Sequence, residues 1–239
     1  MKLVKLLANL GYGSRKEVQR FIRTGAVTDD LCNALSESEV PPHANIRFRG
    51  EELDPPFPLT LILNKPDGYT CSSEDPGATI YDLLPERFAH RNPGLNPVGR
   101  LDKDTTGMIL LTDDGKLLHR IIHPKSSCLK VYHAILDRPL QGHEGALFAS
   151  GELVLNNESK PLLPAGFEVL AENEALVTLH EGRYHQVRRM FAAAGNHVLS
   201  LKRISIGGLS LPEDLEEGDW RELNAAELAL VLGPLVHSD

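Results

Sequence analysis

The sequence is poor in cysteine, in aromatic residues and in long apolar runs. Its 239 residues include three cysteines that are far apart and lack CxxC spacing: Cys32, Cys71 and Cys128. This usage argues against a disulfide framework and against a zinc cluster. No apolar run approaches the roughly 18 residues of a membrane span, and the apolar stretch near the N-terminus is too short and interrupted for a signal peptide. We therefore expect a cytoplasmic protein without membrane contact.

Positive charge is in the minority, with 25 Lys and Arg against 33 Asp and Glu and a formal net charge of −8. Much of the excess acid lies at one end, because residues 204–239 hold eight acidic side chains and a single basic one, Arg221. Two basic islands lie elsewhere: residues 1–25 have six basic side chains against Glu17, and residues 180–203 have five against Glu181. This distribution is compatible with binding to a phosphate backbone. The alternative for each island is a solvated helix face.

The N-terminal segment has the pattern of a small module with two short helices. One helix covers residues 2–9, and Ser14 is the predicted N-cap of a second, through RKEVQRFIRT, which Gly25 ends. The basic side chains of the second helix lie largely off its apolar stripe: Arg15, Lys16, Arg20 and Arg23. A strand begins at AVT, and the proline-rich stretch at residues 50–58 predicts a linker. The first predicted domain is residues 1–55.

The remainder, residues 59–239, alternates strand and helix signals without a βαβ rhythm. Predicted strands are LTLILNKP, MILLT, LKVYHAIL, ELVLN, FEVL, ALVTLH and HVLSLKRISI. Predicted helices are GKLLHRII, HEGALFAS, YHQVRRMFAAAG and AAELALVL. Consecutive strands with scattered helices predict an α+β domain on a large, mainly antiparallel mixed sheet flanked by helices.

Four aspartates crowd into GRLDKDTTGMILLTDDG, residues 99–115. A calcium loop is disfavoured because NPGLNPVG breaks the entering helix and the twelfth position is Asp rather than Glu. A phosphotransfer DxDxT motif is disfavoured because no apolar strand directly precedes Asp102. The third interpretation assigns Asp113 and Asp114 to a turn and a helix cap after a buried strand. It leaves Asp102 and Asp104 in the loop that enters this strand, where Asp102 could lie half-buried against a cation.

The same segment closely resembles the catalytic signature of the pseudouridine synthases, in which the Asp of GRLD is essential. Three more segments resemble that family in the family's order: LNKPDGYTCS, LKVYHAI and EGRYHQVRRMFAAAGNHV. The N-terminal module is similar to the RNA-binding domain of ribosomal protein S4, although it departs from that pattern at VTDDLCNALSESEV. The resemblance covers nearly the whole chain. It implies a small S4-like domain followed by a synthase domain.

The resemblance also implies roles for three residues. Asp102 would be the catalytic carboxylate, which either attacks C1′ or C6 of the uridine or acts as a base. Tyr132 would stack on the uracil and assist removal of the C5 proton. Arg188 would be the basic partner, and the helical pattern independently places it at the edge of the apolar stripe. We therefore expect Arg188 to pair with Asp102 and the outward Arg189 to meet phosphate. Further predicted RNA contacts are Arg100, Lys130, Arg183, His185, Gln186, Arg189, Arg15, Lys16, Arg20 and Arg23.

Implied partners and alternatives follow from the same resemblance. The substrate would be ribosomal RNA, either free or in a partly assembled particle, and the resemblance favours the enzymes that modify small-subunit RNA. The target nucleotide would be flipped out of its stack. The isomerisation needs no cofactor and no metal, and we expect a monomer. The alternatives are a large-subunit synthase of the same family, a non-catalytic RNA-binding assembly protein, or a glycoside hydrolase, which would need a second acid paired with Asp102.

Overall fold

The computed structural model describes residues 2–72, 76–123, 126 and 128–233. These residues divide into two compact units. The N-terminal unit contains the chain up to Thr60 together with Tyr81–Asn96 and Thr112–Gly115. The C-terminal unit contains Leu61–Ile80, Pro97–Leu111 and the chain from Lys116 onward. The N-terminal unit thus takes in two later segments besides residues 1–55, and the assignment of those residues as an S4-like domain stays a prediction.

The N-terminal unit begins with two helices followed by a small antiparallel sheet. Its elements are α1 (Leu3–Asn9), α2 (Arg15–Arg23), β1 (Val27–Asp29), a 3₁₀ helix (His43–Asn45), β2 (Ile46–Phe48) and β3 (Glu51–Glu52). The sheet order is β1-β2-β3. α2 starts where the sequence predicts, because the Ser14 hydroxyl accepts a hydrogen bond from the Glu17 amide and the Glu17 carboxylate accepts one from the Ser14 amide. The apolar side chains that both helices and the sheet bury form one core.

The segment predicted as a linker makes several contacts within this unit. Leu53 belongs to the core, and the Asp54 carboxylate accepts two hydrogen bonds of 2.8 Å from Arg87. The Asp54 amide donates to the Tyr12 hydroxyl at 3.0 Å. Residues 53 and 54 are therefore held in place, although their sequence is typical of a flexible connection.

Among the described residues, the large sheet has nine strands: β4 (Thr60–Lys65), β5 (Asn96–Pro97), β6 (Thr105–Thr112), β7 (Lys130–Leu136), β8 (Gly166–Ala171), β9 (Glu174–Leu179), β10 (Val198–Ile206), β11 (Leu209–Ser210) and β12 (Trp220–Glu222). The helices associated with it are α3 (Gly115–Ile122), α4 (Glu144–Ala149), α5 (Gln186–Ala193) and α6 (Ala225–Leu232). Two 3₁₀ helices, Ile80–Leu83 and Glu86–His90, lie between β4 and β5 in the chain.

The strand order is β12-β4-β6-β10-β7-β9-β8, with β11 beside β10 and β5 beside β6. The pairs β12–β4, β10–β7, β7–β9, β9–β8 and β10–β11 are antiparallel, whereas β6 and β10 run parallel. The predicted α+β class with a large mixed sheet flanked by helices is confirmed. Because β10 lies between β6 and β7, it brings side chains of three distant segments together.

The C-terminal unit is packed on both aliphatic and aromatic contacts. One core cluster joins sheet residues Ile62, Met108 and Leu110 to α3 and α6. The rings of Phe148, Phe167 and Phe191, from α4, β8 and α5, pack against one another with centroids 5.3–6.3 Å apart. These contacts support the two ends of the sheet on which the candidate site is built.

Two sequence predictions change in the structure. The segment ELVLN, residues 152–156, is not a strand; Leu155 is buried, but the backbone follows an irregular loop, so apolar content alone was misleading. Asp113 is structural, as predicted, but it acts through a buried ion pair rather than through a turn alone. Its carboxylate lies 3.0 Å from the Arg91 guanidinium and accepts a hydrogen bond of 2.7 Å from the Leu59 amide.

Candidate active site

A cleft of about 370 Å³ opens in the C-terminal unit, near the lower end of the range of ligand pockets. Its walls come from the loop before β6, from β7, from the end of β9, from the loop before α5, and from β10. The polar side chains that line it are Arg100, Asp102, Thr105, Lys130, Tyr132, Arg183, Tyr184, His185, Gln186 and Arg203. The cleft therefore collects one carboxylate among several cations and aromatic rings.

Asp102 lies in the loop that enters β6, with 27% of its side chain exposed. Its Oδ1 is 3.4 Å from Nε2 of His185. Burial raises the pKa of the Asp102 carboxyl; the charge of Asp104 acts in the same direction, whereas His185 and Arg188 oppose it. A carboxylate that is partly removed from water and lies beside an imidazole is suited to act as a nucleophile or as a base.

Lys65 anchors the loop that carries Asp102. This lysine ends β4 and is fully buried. Its Nζ donates hydrogen bonds to the carbonyl oxygens of Lys103 at 3.0 Å and Thr105 at 2.8 Å, on either side of Asp104. Burial lowers the pKa of the Lys65 ammonium. Lys65 thereby fixes the backbone after Asp102 without lining the cleft itself.

Tyr132 projects from β7 into the cleft and is 8% exposed. Its hydroxyl oxygen is 3.4 Å from Nη1 of Arg203, and the guanidinium carbon of Arg203 lies 5.9 Å from the centre of the tyrosine ring. The two residues are direct partners across the β7–β10 pair. The sheet register thus sets the distance between the phenol and this arginine.

Arg188 forms its ion pair with Asp104 rather than with Asp102. Its Nη2 lies 3.0 Å from Oδ2 of Asp104 and also donates to the Asp104 carbonyl at 3.0 Å. The predicted pair between Arg188 and Asp102 is therefore wrong in this structure. The reason is a tight turn, closed by a hydrogen bond from the Thr105 amide to the Asp102 carbonyl, which presents Asp104 to α5.

Comparisons with known proteins identify the family of this chain. A family model described as RNA pseudouridylate synthase matches residues 60–193. The ribosomal small subunit pseudouridine synthase A of Vibrio cholerae is 40% identical over 233 residues, which cover 97% of this chain and 99% of that protein. The Escherichia coli protein of the same name is 40% identical over 236 residues, or 97% of this chain and 100% of that protein.

A solved structure described as a pseudouridylate synthase matches with a TM-score of 0.69 and 38% identity, covering 97% of this chain and 99% of that chain. The chain belongs to the RNA pseudouridine synthase family. The predicted family and enzyme class are therefore confirmed, and all the residues that line the cleft except Leu201 and Arg203 lie within the matched segment 60–193.

The structure brings some predicted RNA contacts of this synthase to the cleft and leaves others outside it. Arg100, Lys130, Arg183, His185 and Gln186 line the cleft with Asp102 and Tyr132. Arg189 does not, and its guanidinium donates to the Glu158 carboxylate at 2.9 Å instead of projecting freely. Glu158 also accepts a hydrogen bond of 3.0 Å from Arg183, so one carboxylate holds both arginines. The expectation that Arg189 projects freely outward is wrong, because the loop that contains Glu158 lies beside it and the Glu158 carboxylate binds its guanidinium.

The predicted contacts on α2 belong to the N-terminal unit. Arg15, Lys16, Arg20 and Arg23 are all exposed. Within the described part of the chain, no carboxylate forms an ion pair with any of them. They therefore differ from Arg183 and Arg189 in being available to an external anion.

Sequence reasoning missed several polar residues of the site, among them Lys65, Tyr184 and Arg203. Lys65 and Arg203 are buried charged residues within strands, and the neighbours of Lys65 in its strand are buried as well. A lysine at the end of the apolar run TLILNK was the available signal, because a charge in a fully buried strand needs local partners. For Arg203 the pattern gives no comparable signal, since buried, partly buried and exposed positions are mixed irregularly along β10.

No helix among the described residues is long and apolar enough to span a bilayer. Across residues 2–72, 76–123, 126 and 128–233, no three His, Cys, Asp or Glu side chains are grouped so that they could hold a metal ion.

Proposed function

We propose that this synthase isomerises a specific uridine to pseudouridine in the 16S RNA of the small ribosomal subunit, with Asp102 as the catalytic carboxylate. One observation carries the proposal: the aspartate of the GRLD signature is the half-buried carboxylate of the cleft, in a chain 40% identical over 97% of its length to a small-subunit pseudouridine synthase.

The reaction breaks the bond between C1′ and N1, turns the uracil and joins C1′ to C5, with loss of the C5 proton and gain of a proton at N1. Asp102 acts by attack at C1′, by attack at C6, or as the base that starts elimination. Each route requires the ionised carboxylate, and partial burial makes that carboxylate a stronger base than an exposed one. Tyr132 lies in the same cleft, where it stacks on the uracil and assists removal of the C5 proton.

A uridine within folded RNA reaches the Asp102 carboxylate only if its nucleotide leaves the stack. The cleft volume of about 370 Å³ suits a single nucleoside rather than a length of chain. Arg100 is exposed at the cleft, and the ring of Tyr184 is stacked on that of His185 with centroids 3.9 Å apart. These groups offer a phosphate contact and an aromatic face to the nucleotides beside the target.

Affinity for the rest of the RNA comes from the N-terminal unit, in which residues 1–55 act as an S4-like RNA-binding domain. Four exposed cations on α2 support this role: Arg15, Lys16, Arg20 and Arg23. The ribosomal RNA is modified in the cytoplasm, either free or within a partly assembled particle, and the test below includes both forms. The protein acts as a monomer in this proposal.

The test uses the purified full-length protein with 16S RNA, assembly intermediates of the small subunit and 23S RNA. Pseudouridine mapping after single-turnover incubation should show one modified uridine in small-subunit RNA and none with the Asp102→Asn variant. Modification confined to 23S RNA would replace the substrate assignment with the large-subunit alternative. Tight binding of 16S RNA without any pseudouridine would favour the assembly-protein alternative.

A further inference from the structure

Arg203 is a buried cation whose hydrogen bonds are incomplete. It is 1% exposed, its Nε donates to the Met108 carbonyl at 2.7 Å, and its Nη1 lies 3.4 Å from the Tyr132 hydroxyl oxygen. Its buried Nη2 has no hydrogen-bond partner among the described groups. None of the ion pairs among residues 2–72, 76–123, 126 and 128–233 includes Arg203.

Such an arrangement is costly in a folded protein. A guanidinium stays charged at any ordinary pH, and a buried charge without an anionic partner destabilises the fold. An unsatisfied buried donor in a native structure calls for an explanation, and a catalytic role is one of the recognised explanations. Arg203 lines the same cleft as Asp102 and Tyr132.

The backbone around Arg203 is built for close approach. In the sheet register its Cα partners are Gly107 on β6 and Tyr132 on β7, and the β7–β10 register shifts directly after Arg203. Gly107 has a φ of +95°, and a Cβ there would lie 2.3 Å from the Arg203 carbonyl oxygen. Gly107, the glycine of the GRLDKDTTG signature, therefore lets the backbone of β6 lie against that of Arg203. The register shift after Arg203 changes the direction in which the neighbouring β10 side chains point.

We propose that Nη2 of Arg203 binds a carbonyl oxygen of the flipped-out uracil and stabilises the negative charge that this oxygen gains during the reaction. The inference rests on the proposed function, because it assigns a group to the base in the same cleft. Uracil presents two such acceptors, O2 and O4, and a forked guanidinium with one free arm matches a single carbonyl oxygen. Nη1 meanwhile keeps the Tyr132 hydroxyl at a set distance.

The charge arises on each route open to Asp102. Attack at C1′, or elimination started by a base, breaks the C1′–N1 bond and leaves its electron pair on N1, from which it is shared with O2 and O4. Attack at C6 forms a bond to that carbon and moves the C5–C6 electron pair toward O4. In every case a carbonyl oxygen of the base becomes more negative before C5 bonds to C1′. A preorganised cation in a buried site stabilises such charge strongly.

The experiment measures single-turnover pseudouridine formation and RNA affinity in the full-length protein. Arg203→Gln should lower the rate by about 100-fold or more while the Kd for RNA changes little. Arg203→Lys, which keeps the charge but loses the fork, should fall between Arg203→Gln and the wild type. Arg91→Lys is the matched control, because it makes the same change at another buried arginine, which pairs with Asp113. It should leave the rate of the folded protein unchanged.

Substrate RNAs with 2-thiouridine or 4-thiouridine at the target give a readout that a merely structural arginine would not move. One of the two sulfur substitutions should slow the wild type, and that penalty should largely disappear in Arg203→Gln. The wild type alone tests the inference even if the variants do not fold. If neither sulfur substitution slows the wild type, the inference is overturned. Equal penalties in wild type and variant, or a rate loss in Arg91→Lys as large as in Arg203→Lys, would also overturn it. Failure of the wild type to modify unsubstituted RNA would instead contradict the proposed function.

Discussion

The two basic islands of the sequence have similar composition but very different structures. On α2, four cations are exposed and no carboxylate of the described residues pairs with them. Around α5 and β10, the arginines are bound by protein groups: Glu158 holds Arg183 and Arg189, Asp104 holds Arg188, and Arg203 is buried beside Tyr132. The difference shows that a run of basic residues can either leave its charges exposed to solvent or have them bound by groups of the protein itself.

The physical reason lies in what each guanidinium must give up to meet a phosphate. A free surface cation releases counterions from RNA and loses only side-chain freedom. An arginine that is paired with a carboxylate of the protein must first break that ion pair, and the carboxylate then loses its partner at a cost in free energy. We therefore expect affinity to depend on α2 and the chemical rate to depend on the cleft, and the following predictions test that division.

The largest effect should come from Asp102→Asn, which removes the charge of the carboxylate with little change in shape. The single-turnover rate should fall by at least about 1,000-fold, with RNA affinity nearly unchanged. The matched control is Asp114→Asn, which lies outside the cleft and should retain most activity. A large rise in Kd for the Asp102→Asn variant would contradict the separation of rate from affinity.

The pH dependence should follow the same carboxyl. Burial raises the pKa of Asp102, so its proton is taken up at a higher pH than in an exposed aspartate. The rate should fall about tenfold per unit once the pH drops below this raised pKa. The folded state also holds that proton more tightly than the unfolded state, so the ionised carboxylate costs stability above the raised pKa. Asp102→Asn should therefore melt at a slightly higher temperature than the wild type at neutral pH, and a lower Tm would contradict this sign.

Neutralising α2 should change binding but not chemistry. A variant with Arg15→Gln, Lys16→Gln, Arg20→Gln and Arg23→Gln should weaken RNA binding and lower the slope of log Kd against log salt by up to about 3. Its rate at saturating RNA should match the wild type. Arg189→Gln is the control from the other island, and its salt slope should stay close to that of the wild type. If Arg189→Gln lowered the slope as much per charge, the two islands would be equivalent in binding.

The smallest effect should come from Glu158→Gln, measured as a modest decrease in Tm at neutral pH. Hydrogen bonds from Arg189 and Arg183 lower the pKa of Glu158, so its carboxylate stabilises the folded state above the ordinary glutamate pKa. That stabilisation is lost as the pH falls through the lowered pKa, and the wild type and variant should then melt alike. A difference in Tm that persisted in acid would show that the ion pairs are not its cause.

The sequence predicted local structure well where one pattern dominated. α2 begins at its capping box and buries Val18 and Ile22, because capping and the 3.6-residue period depend on neighbours in the chain. The strand prediction failed at ELVLN, where Leu155 is buried but Val154 is exposed and the backbone forms an irregular loop. Asp113 was correctly separated from Asp102, yet its partner Arg91, 22 residues away, was not foreseen. Contacts between residues so far apart in the sequence depend on the tertiary path of the chain, which local patterns do not reveal.

The sequence by itself determined the family, the GRLD motif by which the family is recognised and the main strands and helices, since these depend on residues adjacent in the chain or on short periodic patterns. Only the tertiary structure decided which side chain lies beside each arginine. Arg188 is near Asp104 because a turn at residues 102–105 presents that carboxylate, and Arg203 is near Tyr132 because β10 lies between β6 and β7. Such pairings follow from strand order and register, which place residues about 70 positions apart within hydrogen-bond distance.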